Sequence, residues 1–403
     1  MAPRVDVRFG LLGQVGHTAV YLGRNRLSSA KLSYEFTKGL NECSHEIQLA
    51  LPEVFDPQTI SIQFRHTGAG AGQPLVLLDG MVCAVIFYCM SQRLDLHVRG
   101  ELSSVFLRRI RLFMESWNRW FPDLYSVIDV SCDSIYSYRS EVGEDTSSTR
   151  LRKESTVTPL SGGVDSTFSL LRNSGPGSKS NFTISQGVFV QGFDIPSKDT
   201  IAASRASKKL KELAGLYEIA YSEVHTNLRD QIPLNWEHAH GAALASVLHL
   251  FSRESASGLI PSAQAVDGVL SPWGTHPATD NFLSGELMDI IHDGAGFGRF
   301  EKVRHLTMFP KIAKYLRVCW EGQDLSRNCS TCEKCLRTMA SIEIAGGSPR
   351  RAFRSRVTSG RVSSLVFPNS RVRQQWVRIL ELAEQDGRRF PWITALRKRL
   401  DTN

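Results

Sequence analysis

The chain has 403 residues, 42% of them hydrophobic, which suits more than one domain of an ordinary globular protein. It contains no apolar run of about eighteen residues, so the sequence predicts no transmembrane helix and no membrane partner. The first ten residues lack an apolar signal core, and a cytoplasmic location is therefore expected. Eight cysteines in a chain this long do not indicate a secreted disulfide scaffold, and clustered cytosolic cysteines indicate a metal.

The formal net charge of +8 belongs to the C-terminal part of the chain. From Leu336 onward there are fourteen Lys or Arg and five Asp or Glu, whereas the preceding part is close to neutral. A basic segment of this kind can contact nucleic acid or an acidic partner, and it can equally be a solvated helical surface. Composition alone leaves both interpretations open.

A small α/β domain is predicted for residues 1–140. Residues 74–88 are apolar and rich in β-favouring side chains, residues 94–98 alternate as in a strand, and 125–130 follow as another strand. Between the last two, residues 103–120 carry apolar side chains at three- and four-residue steps, which predicts a helix.

A polar linker is predicted at residues 141–154, followed by a second domain at 155–318 in which strand and helix patterns alternate. This order is typical of a parallel sheet with helices on both faces, which binds ligands at the carboxyl ends of its strands. The predicted strands are 156–160, 182–193, 216–224 and 259–260, and the predicted helices are 165–172, 200–214 and 236–251. The last segment, 319–403, is predicted to hold a metal site and a helix at 371–385 that Ser370 caps and Gly387 ends.

The strongest local signal is the sequence SGGVDST at residues 161–167, called the glycine loop below. It lies between a predicted strand and a predicted helix. Gly162 and Gly163 let the backbone approach an anion with no Cβ in the way. The amides that follow, including that of Val164, and the helix start both favour negative charge. These features predict a phosphate-binding loop, against the plainer interpretation of a glycine turn with no ligand.

Polar side chains of the glycine loop fit the same interpretation. Ser161, Ser166 and Thr167 offer hydroxyl donors, and Asp165 suits an anion site if it meets Mg²⁺ or orients the loop. The segment lacks both the ending of a Walker loop and the spacing of a dinucleotide fingerprint. It is similar to the SGGxDS loop of the ATP-pyrophosphatase superfamily, whose members adenylate a substrate oxygen.

Four cysteines form the second motif. Cys329, Cys332 and Cys335 are spaced C-x2-C-x2-C, and Cys319 lies ten positions earlier. Four thiolates at this spacing favour structural tetrahedral Zn²⁺ with no open position, and an iron–sulfur cluster is the alternative. The remaining cysteines are scattered and are interpreted as ordinary structural residues: Cys43, Cys83, Cys89 and Cys132.

The glycine loop together with the four cysteines resembles the 7-cyano-7-deazaguanine synthase (QueC) family over residues 157–339. The resemblance implies the PP-loop fold of adenine nucleotide α-hydrolases, zinc on the four cysteines, and use of ATP to convert a deazapurine carboxylate to a nitrile with ammonia. This chain departs from the family in its extra N-terminal residues, in His240-Gly241, and in the segment 271–280. Divergent QueC-like proteins occur in anti-phage systems, where a deazapurine can be joined to an amine of a partner protein.

Further site residues follow from the resemblance and from the chemistry of their side chains. The resemblance places Lys302 on phosphate, with Arg299 as a further candidate, and a solvated helix face is the plainer interpretation. His240, at a position where the chain departs from the family, is a candidate contact to nucleotide or substrate, and a helix cap or core residue is the plainer interpretation. Trp273 can stack on a planar base, and a second group lies in the same predicted substrate region: His276, Asp280, His292 and Asp293.

Three functions are compatible with these motifs. The first is an ATP-dependent, QueC-like ligase or synthase that requires Mg²⁺. The second is a PP-loop enzyme that modifies RNA, favoured by the basic tail but opposed because no cysteine lies near the glycine loop in the sequence. The third is an inactive fold that serves as an interaction module. A protein acceptor and a homodimer fit the first function, and nucleic acid is compatible with the chain but not favoured.

Overall fold

The protein is described by a computed structural model that covers residues 27–137, 155–174, 180, 182–266, 268 and 270–402. The predicted linker at 141–154 and the N-terminal residues from which a cytoplasmic location is expected lie outside the described residues. Ten strands form one sheet: β1 (Leu27–Lys38), β2 (Glu42–Ala50), β3 (Thr59–Gly68), β4 (Leu94–Ser103), β5 (Val130–Tyr136), β6 (Ser155–Pro159), β7 (Thr183–Gln191), β8 (Ala220–Thr226), β9 (Ser257–Pro261) and β10 (Asp289–Asp293).

Eleven α-helices accompany the sheet in the part of the chain that the structure describes. They are α1 (Asp79–Gln92), α2 (Ser104–Trp120), α3 (Val164–Ser174), α4 (Thr200–Leu216), α5 (Leu228–Gln231), α6 (Trp236–His249), α7 (Arg299–Thr307), α8 (Glu333–Ile344), α9 (Ser359–Ser363), α10 (Ser370–Gln385) and α11 (Pro391–Asp401). No helix within these described ranges is long and apolar enough to cross a bilayer.

The strand order is β10-β9-β6-β7-β8-β3-β2-β1-β4-β5. At one end of the sheet the neighbouring strands β10, β9, β6, β7 and β8 are parallel, and at the other end β1, β4 and β5 are parallel. In between, β8 with β3, β3 with β2, and β2 with β1 form antiparallel pairs. The α/β class with a mostly parallel sheet is therefore confirmed. Strand β3 pairs with β8 from Phe64 opposite Thr226 to Gly68 opposite Ser222, so the N-terminal strands and those around the glycine loop belong to one continuous sheet.

Two hydrophobic cores lie on opposite faces of this sheet. Neighbouring residues of β7 point to opposite faces, with Val188 in one core and Phe189 in the other. Helices α1, α2 and α6 contribute to the first core, and helices α3, α4, α7, α8, α10 and α11 contribute to the second. The predicted arrangement of helices on both faces is present.

The strand suggested by the apolar, β-favouring residues 74–88 is wrong. This stretch contains most of helix α1. Every residue from Asp79 to Met90 is buried, so the helix shows no polar face and no periodicity that could distinguish it from a buried strand. Gly80 permits the close approach of α1 to α6, since a Cβ at this position would lie 2.3 Å from the Cβ of His249.

Two smaller predictions also differ from the structure. The strand expected at 125–130 begins only at Val130, because Tyr125 turns inward to hydrogen-bond His238 with 2.8 Å between Oη and Nδ1. Helix α10 has Asn369 as its N-cap rather than Ser370, with the Asn369 side chain accepting from Val372 N. The helices expected near 103–120, 200–214, 236–251 and 371–385 are confirmed within a few residues.

The buried imidazole of His249 leads to a prediction about pH and stability. Burial lowers the pKa of His249 to about 4, while its Nε2 lies 2.9 Å from the Leu283 carbonyl oxygen. Since the folded protein holds the neutral imidazole, the contribution of His249 to the free energy of unfolding is fully present above the unfolded-state pKa of about 6.5. This contribution is lost as the pH falls towards 4. Between pH 7 and pH 4.5, the free energy of unfolding of the wild type should fall by about 2.5 kcal/mol more than that of His249→Gln, which has no imidazole to protonate.

Urea unfolding at the two pH values measures this difference. His97→Gln serves as the control, because the His97 side chain is 34% exposed and its substitution should leave the wild-type dependence within about 0.5 kcal/mol. An identical pH dependence in wild type and His249→Gln would contradict the prediction.

Candidate functional site

The glycine loop lies at the carboxyl end of β6, a strand with parallel neighbours on both sides, and runs into α3 at Val164. Gly162 has φ +74°, and a Cβ there would lie 2.9 Å from the Tyr315 carbonyl oxygen. The loop is therefore both left-handed and closely packed at this position. Pro159 is the last residue of β6 and is tolerated there because the strand ends.

The carbonyl oxygens of the loop are held by one arginine from a distant part of the chain. Arg317 donates its backbone amide to Gly162 O over 2.8 Å and its Nε to Ser161 O over 3.3 Å. Side chains within the loop also hydrogen-bond: the hydroxyl oxygens of Ser161 and Ser166 lie 3.1 Å apart, and Gly163 N donates to Ser161 Oγ. The loop conformation is thus supported without any ligand.

The backbone conformation of Gly162 gives a second prediction. Gly162→Ala should lower the free energy of unfolding by about 1–2 kcal/mol, because an L side chain is strained in the left-handed region and meets the Tyr315 carbonyl. Gly215→Ala is the matched control: its Cβ would meet nothing within 4 Å and it lies in α4, so stability should be unchanged or higher. Denaturant unfolding of both variants measures the contrast, and equal stabilities would contradict it.

Asp165 forms an ion-pair cluster with two residues of α7. Arg299 Nη1 lies 2.7 Å from Asp165 Oδ2, and Lys302 Nζ lies 3.3 Å from Oδ1. Burial acts to raise the pKa of Asp165, but the two cations outweigh it and the pKa is lowered. The Lys302 side chain is only 3% exposed, and its Nζ also donates to the Ser262 carbonyl. The structure therefore brings together the three residues predicted as catalytic.

A polar cavity of about 150 Å³ opens beside the glycine loop. Its wall includes Arg299, Arg317 and Lys334 together with Trp320, whose ring centroid is 3.3 Å from Lys334 Nζ. Burial, and then the charge of Arg299, lower the pKa of Lys334 to about 8. The sequence analysis did not identify Arg317, which reaches the loop from a segment about 150 residues away.

A second, more apolar cavity of about 190 Å³ also borders the loop. It is bounded by residues of β7 and α6, including Trp236 and His240, and by Phe193, which follows β7. His240 Nδ1 donates to the Trp236 carbonyl oxygen over 2.9 Å, and burial lowers the pKa of His240. The structure therefore places His240 next to the loop, in a slot whose walls suit a planar ring.

The predicted substrate segment lies mostly away from these two cavities. Asp280 is fully buried, accepts from His276 N over 2.9 Å, and pairs with His292 at 2.6 Å. His276 packs edge-on against Trp120, with ring centroids 4.9 Å apart. His276 and Asp280 line neither cavity, and their contacts hold the segment in place.

Three other predicted residues have contacts of different kinds. Trp273 is covered by Arg371, whose Cζ lies 4.0 Å from the ring centroid. Asp293 is buried and accepts hydrogen bonds from Ser169 and Asn173. Thr167 is fully buried in α3, and its hydroxyl does not line either cavity.

The four cysteines form one cluster close to the polar cavity. Their sulfur atoms all lie within 4.8 Å of one another, with Cys329 and Cys335 at 3.8 Å and Cys319 and Cys332 at 3.7 Å. A tetrahedral zinc ion with bonds of about 2.3 Å puts its sulfurs about 3.8 Å apart. The arrangement thus fits zinc, with amides of Glu321, Thr331 and Cys332 directed at the sulfurs.

Arginines from the basic C-terminal part line a groove of about 310 Å³. Arg337 of α8 and Arg371 and Arg378 of α10 lie in its wall, together with Arg299. Part of the C-terminal charge therefore faces a concave surface rather than open solvent alone. Such a lining can hold an anionic group.

Comparison with known proteins adds no relative to this picture: no family model, curated protein or solved structure matches the chain. The function is therefore inferred from the site itself.

Proposed function

We propose that this protein is an ATP-dependent ligase or synthase that adenylates a carboxylate and transfers the acyl group to a nitrogen nucleophile. The observation that carries the proposal is the Asp165–Arg299–Lys302 cluster on a left-handed glycine loop at the carboxyl end of parallel strands. The Asp165 carboxylate is suited to a metal ion, and the two cations beside it are suited to the negative charge of phosphate. A phosphate–metal complex requires both kinds of charge.

The two cavities support an orientation for ATP. The apolar slot beside His240 suits the adenine ring, and the polar cavity suits the phosphates, because Arg317 and Lys334 lie in its wall. Asp165 is the residue that would hold Mg²⁺, and the ion would neutralise phosphate charge there. The amides at the start of α3 add further partial positive charge.

The reaction has two displacements. A carboxylate oxygen attacks the α-phosphorus of ATP, and the bond from that phosphorus to the bridging oxygen breaks, so pyrophosphate leaves and an acyl adenylate forms. An amine nitrogen then attacks the acyl carbon, AMP leaves with the bonding electron pair, and the amine proton passes to solvent. Arg299, Arg317 and Lys334 line the polar cavity and neutralise the charge that develops on the departing pyrophosphate. Lys302 lies behind Asp165 and adds its positive charge to the same site.

The resemblance to the QueC family suggests the substrate class, a deazapurine carboxylate, with ammonia or an amine of a partner protein as acceptor. In divergent members this chemistry serves anti-phage defence. The cysteine cluster supports the same assignment, because it lies against the polar cavity, where Cys319 contributes to the wall.

The test uses the full chain with ATP, Mg²⁺ and 7-carboxy-7-deazaguanine. Formation of both AMP and pyrophosphate that depends on the carboxylate is the expected result. Calorimetry with ATP should give binding to the wild type and to the exposed control Asp123→Ala, and much weaker binding to Asp165→Ala. Equal heats for Asp165→Ala and wild type, with no pyrophosphate formed, would favour an inactive interaction module instead.

A second candidate, modification of RNA, is favoured by the arginine-lined groove. Sequence reasoning found no cysteine near the glycine loop, but the fold brings Cys319 to the cavity beside it. That sulfur lies 3.7 Å from Cys332 Sγ in the metal cluster, which argues against a role as a sulfur carrier. Tight, salt-dependent tRNA binding would support this candidate, and its absence would dismiss it.

A further inference from the structure

A second group of potential metal ligands lies far along the sheet from the glycine loop, on strands β2 and β3. The Cys43 sulfur and one ring nitrogen from each of His45 and His66 lie within 4.8 Å of one another. The three residues are at most 1% exposed. The sequence suggested only an ordinary structural role for Cys43, because His66, which completes the group, belongs to a different strand.

The sheet register explains how the group assembles. Cys43 and His45 are two residues apart in β2 and share its buried face, and Cys43 is directly opposite His66 in β3. Further along the same face, the buried partners are apolar, as with Ile47 opposite Ile62. At its end this face therefore carries three residues that can bind metal, at positions where the pattern calls for apolar side chains.

The hydrogen bonds around the two imidazoles leave one ring nitrogen of each for an ion. His45 Nδ1 lies 2.9 Å from Tyr34 Oη, and its Nε2 lies 3.5 Å from Cys43 Sγ. His66 Nε2 donates to the Ala69 carbonyl oxygen, while its buried Nδ1 has no hydrogen-bond partner among the described residues. A histidine that ligates metal commonly uses its second nitrogen in this way, since the outer hydrogen bond fixes the ring.

We propose that Cys43, His45 and His66 form a second zinc site. Tetrahedral zinc places a thiolate sulfur and an imidazole nitrogen about 3.6 Å apart, close to the 3.5 Å between Cys43 Sγ and His45 Nε2. An imidazole and thiolate donor set suits zinc. The fourth position falls to water, because no other Asp, Glu, Cys or His of the described residues joins these three in one group of ligand atoms.

The surroundings indicate a structural role for this ion. The Ala69 carbonyl that accepts from His66 also accepts from Gln186 Nε2 on β7 and Ser222 Oγ on β8, both over 2.7 Å. An ion on His66 would therefore fix the point at which β3 joins β8, where the N-terminal strands meet those around the glycine loop.

The decisive measurement on the unaltered protein is X-ray absorption at the zinc edge with total zinc content. Two zinc ions per chain are expected, with nitrogen as well as sulfur in the averaged first shell. An all-sulfur shell with a single zinc would overturn the proposal, because the four-cysteine cluster would then account for all the metal.

Variants assign the second ion to its ligands. His66→Gln should retain one zinc, whereas His97→Gln, the same substitution outside the group, should retain two. After exchange into cobalt, His66→Gln should keep the intense thiolate bands of the four-cysteine site and lose a weaker component. Two zinc ions in well-folded His66→Gln would contradict the assignment, and Cys43→Ser repeats the test if that variant does not fold.

Discussion

Lys302→Met is expected to reduce carboxylate-dependent pyrophosphate release by about 100-fold, the effect typical of removing one preorganised charge from a site that stabilises a developing oxyanion. Lys302 Nζ is buried between Asp165 and the Ser262 carbonyl, so solvent screens its charge little. Methionine keeps most of the volume, and Asp165 retains Arg299 as its partner. The loss should therefore appear in turnover. The melting temperature should also fall, because the Ser262 carbonyl oxygen loses its ammonium donor, so turnover is compared at a temperature where both proteins are folded.

The control for this experiment is Lys311→Met, an exposed lysine beyond the end of the same helix. Its turnover should equal that of the wild type. A Lys302→Met protein that releases pyrophosphate within twofold of the wild type would show that the buried ammonium serves packing alone.

Cys332→Ser is expected to have the largest effect on folding. It removes one of four sulfurs from the cluster, and the free energy of binding structural zinc is available to folding. Loss of a few kcal/mol corresponds to a decrease of roughly 10 °C in melting temperature for a large domain. We expect lower solubility and loss of one zinc equivalent per chain.

Cys132→Ser makes the same substitution at a partly exposed cysteine outside both groups and should keep wild-type zinc and melting temperature. If Cys332→Ser also keeps them, the four cysteines do not form a structural zinc site. Iron in place of zinc, with absorbance near the visible range, would favour the iron–sulfur alternative.

Sequence patterns predicted the fold best where a helix has one buried face. Helix α2 buries Phe106, Ile110 and Trp117 at helical spacing, and its predicted bounds are correct within one residue. Helix α1 is buried all round, so its pattern could not identify it. The prediction contained no strands before residue 74, although β2 and β3 alternate in burial, because His45 and His66 occupy inward positions that normally hold apolar residues.

The candidate site was partly predictable for a similar reason. Contiguous motifs such as the glycine loop and the three-cysteine run can be read locally, and a role for Lys302 at the phosphates was expected from a resemblance. The contribution of Arg317 depends on a turn from a distant segment, and in the second group of ligands the meeting of His66 with Cys43 depends on strand register. Neither is encoded in local spacing.

The short segment from Arg317 to Cys319 has a thermodynamic consequence. Arg317 holds the carbonyls of the glycine loop, and Cys319, two residues later, is one of the four clustered sulfurs. If bound zinc orders this segment, it raises the affinity of the site for nucleotide, because the loop is then already held. Bound nucleotide must raise the affinity for zinc by the same factor. Under the proposed function, loss of zinc would therefore weaken nucleotide binding without any direct contact between the two ligands.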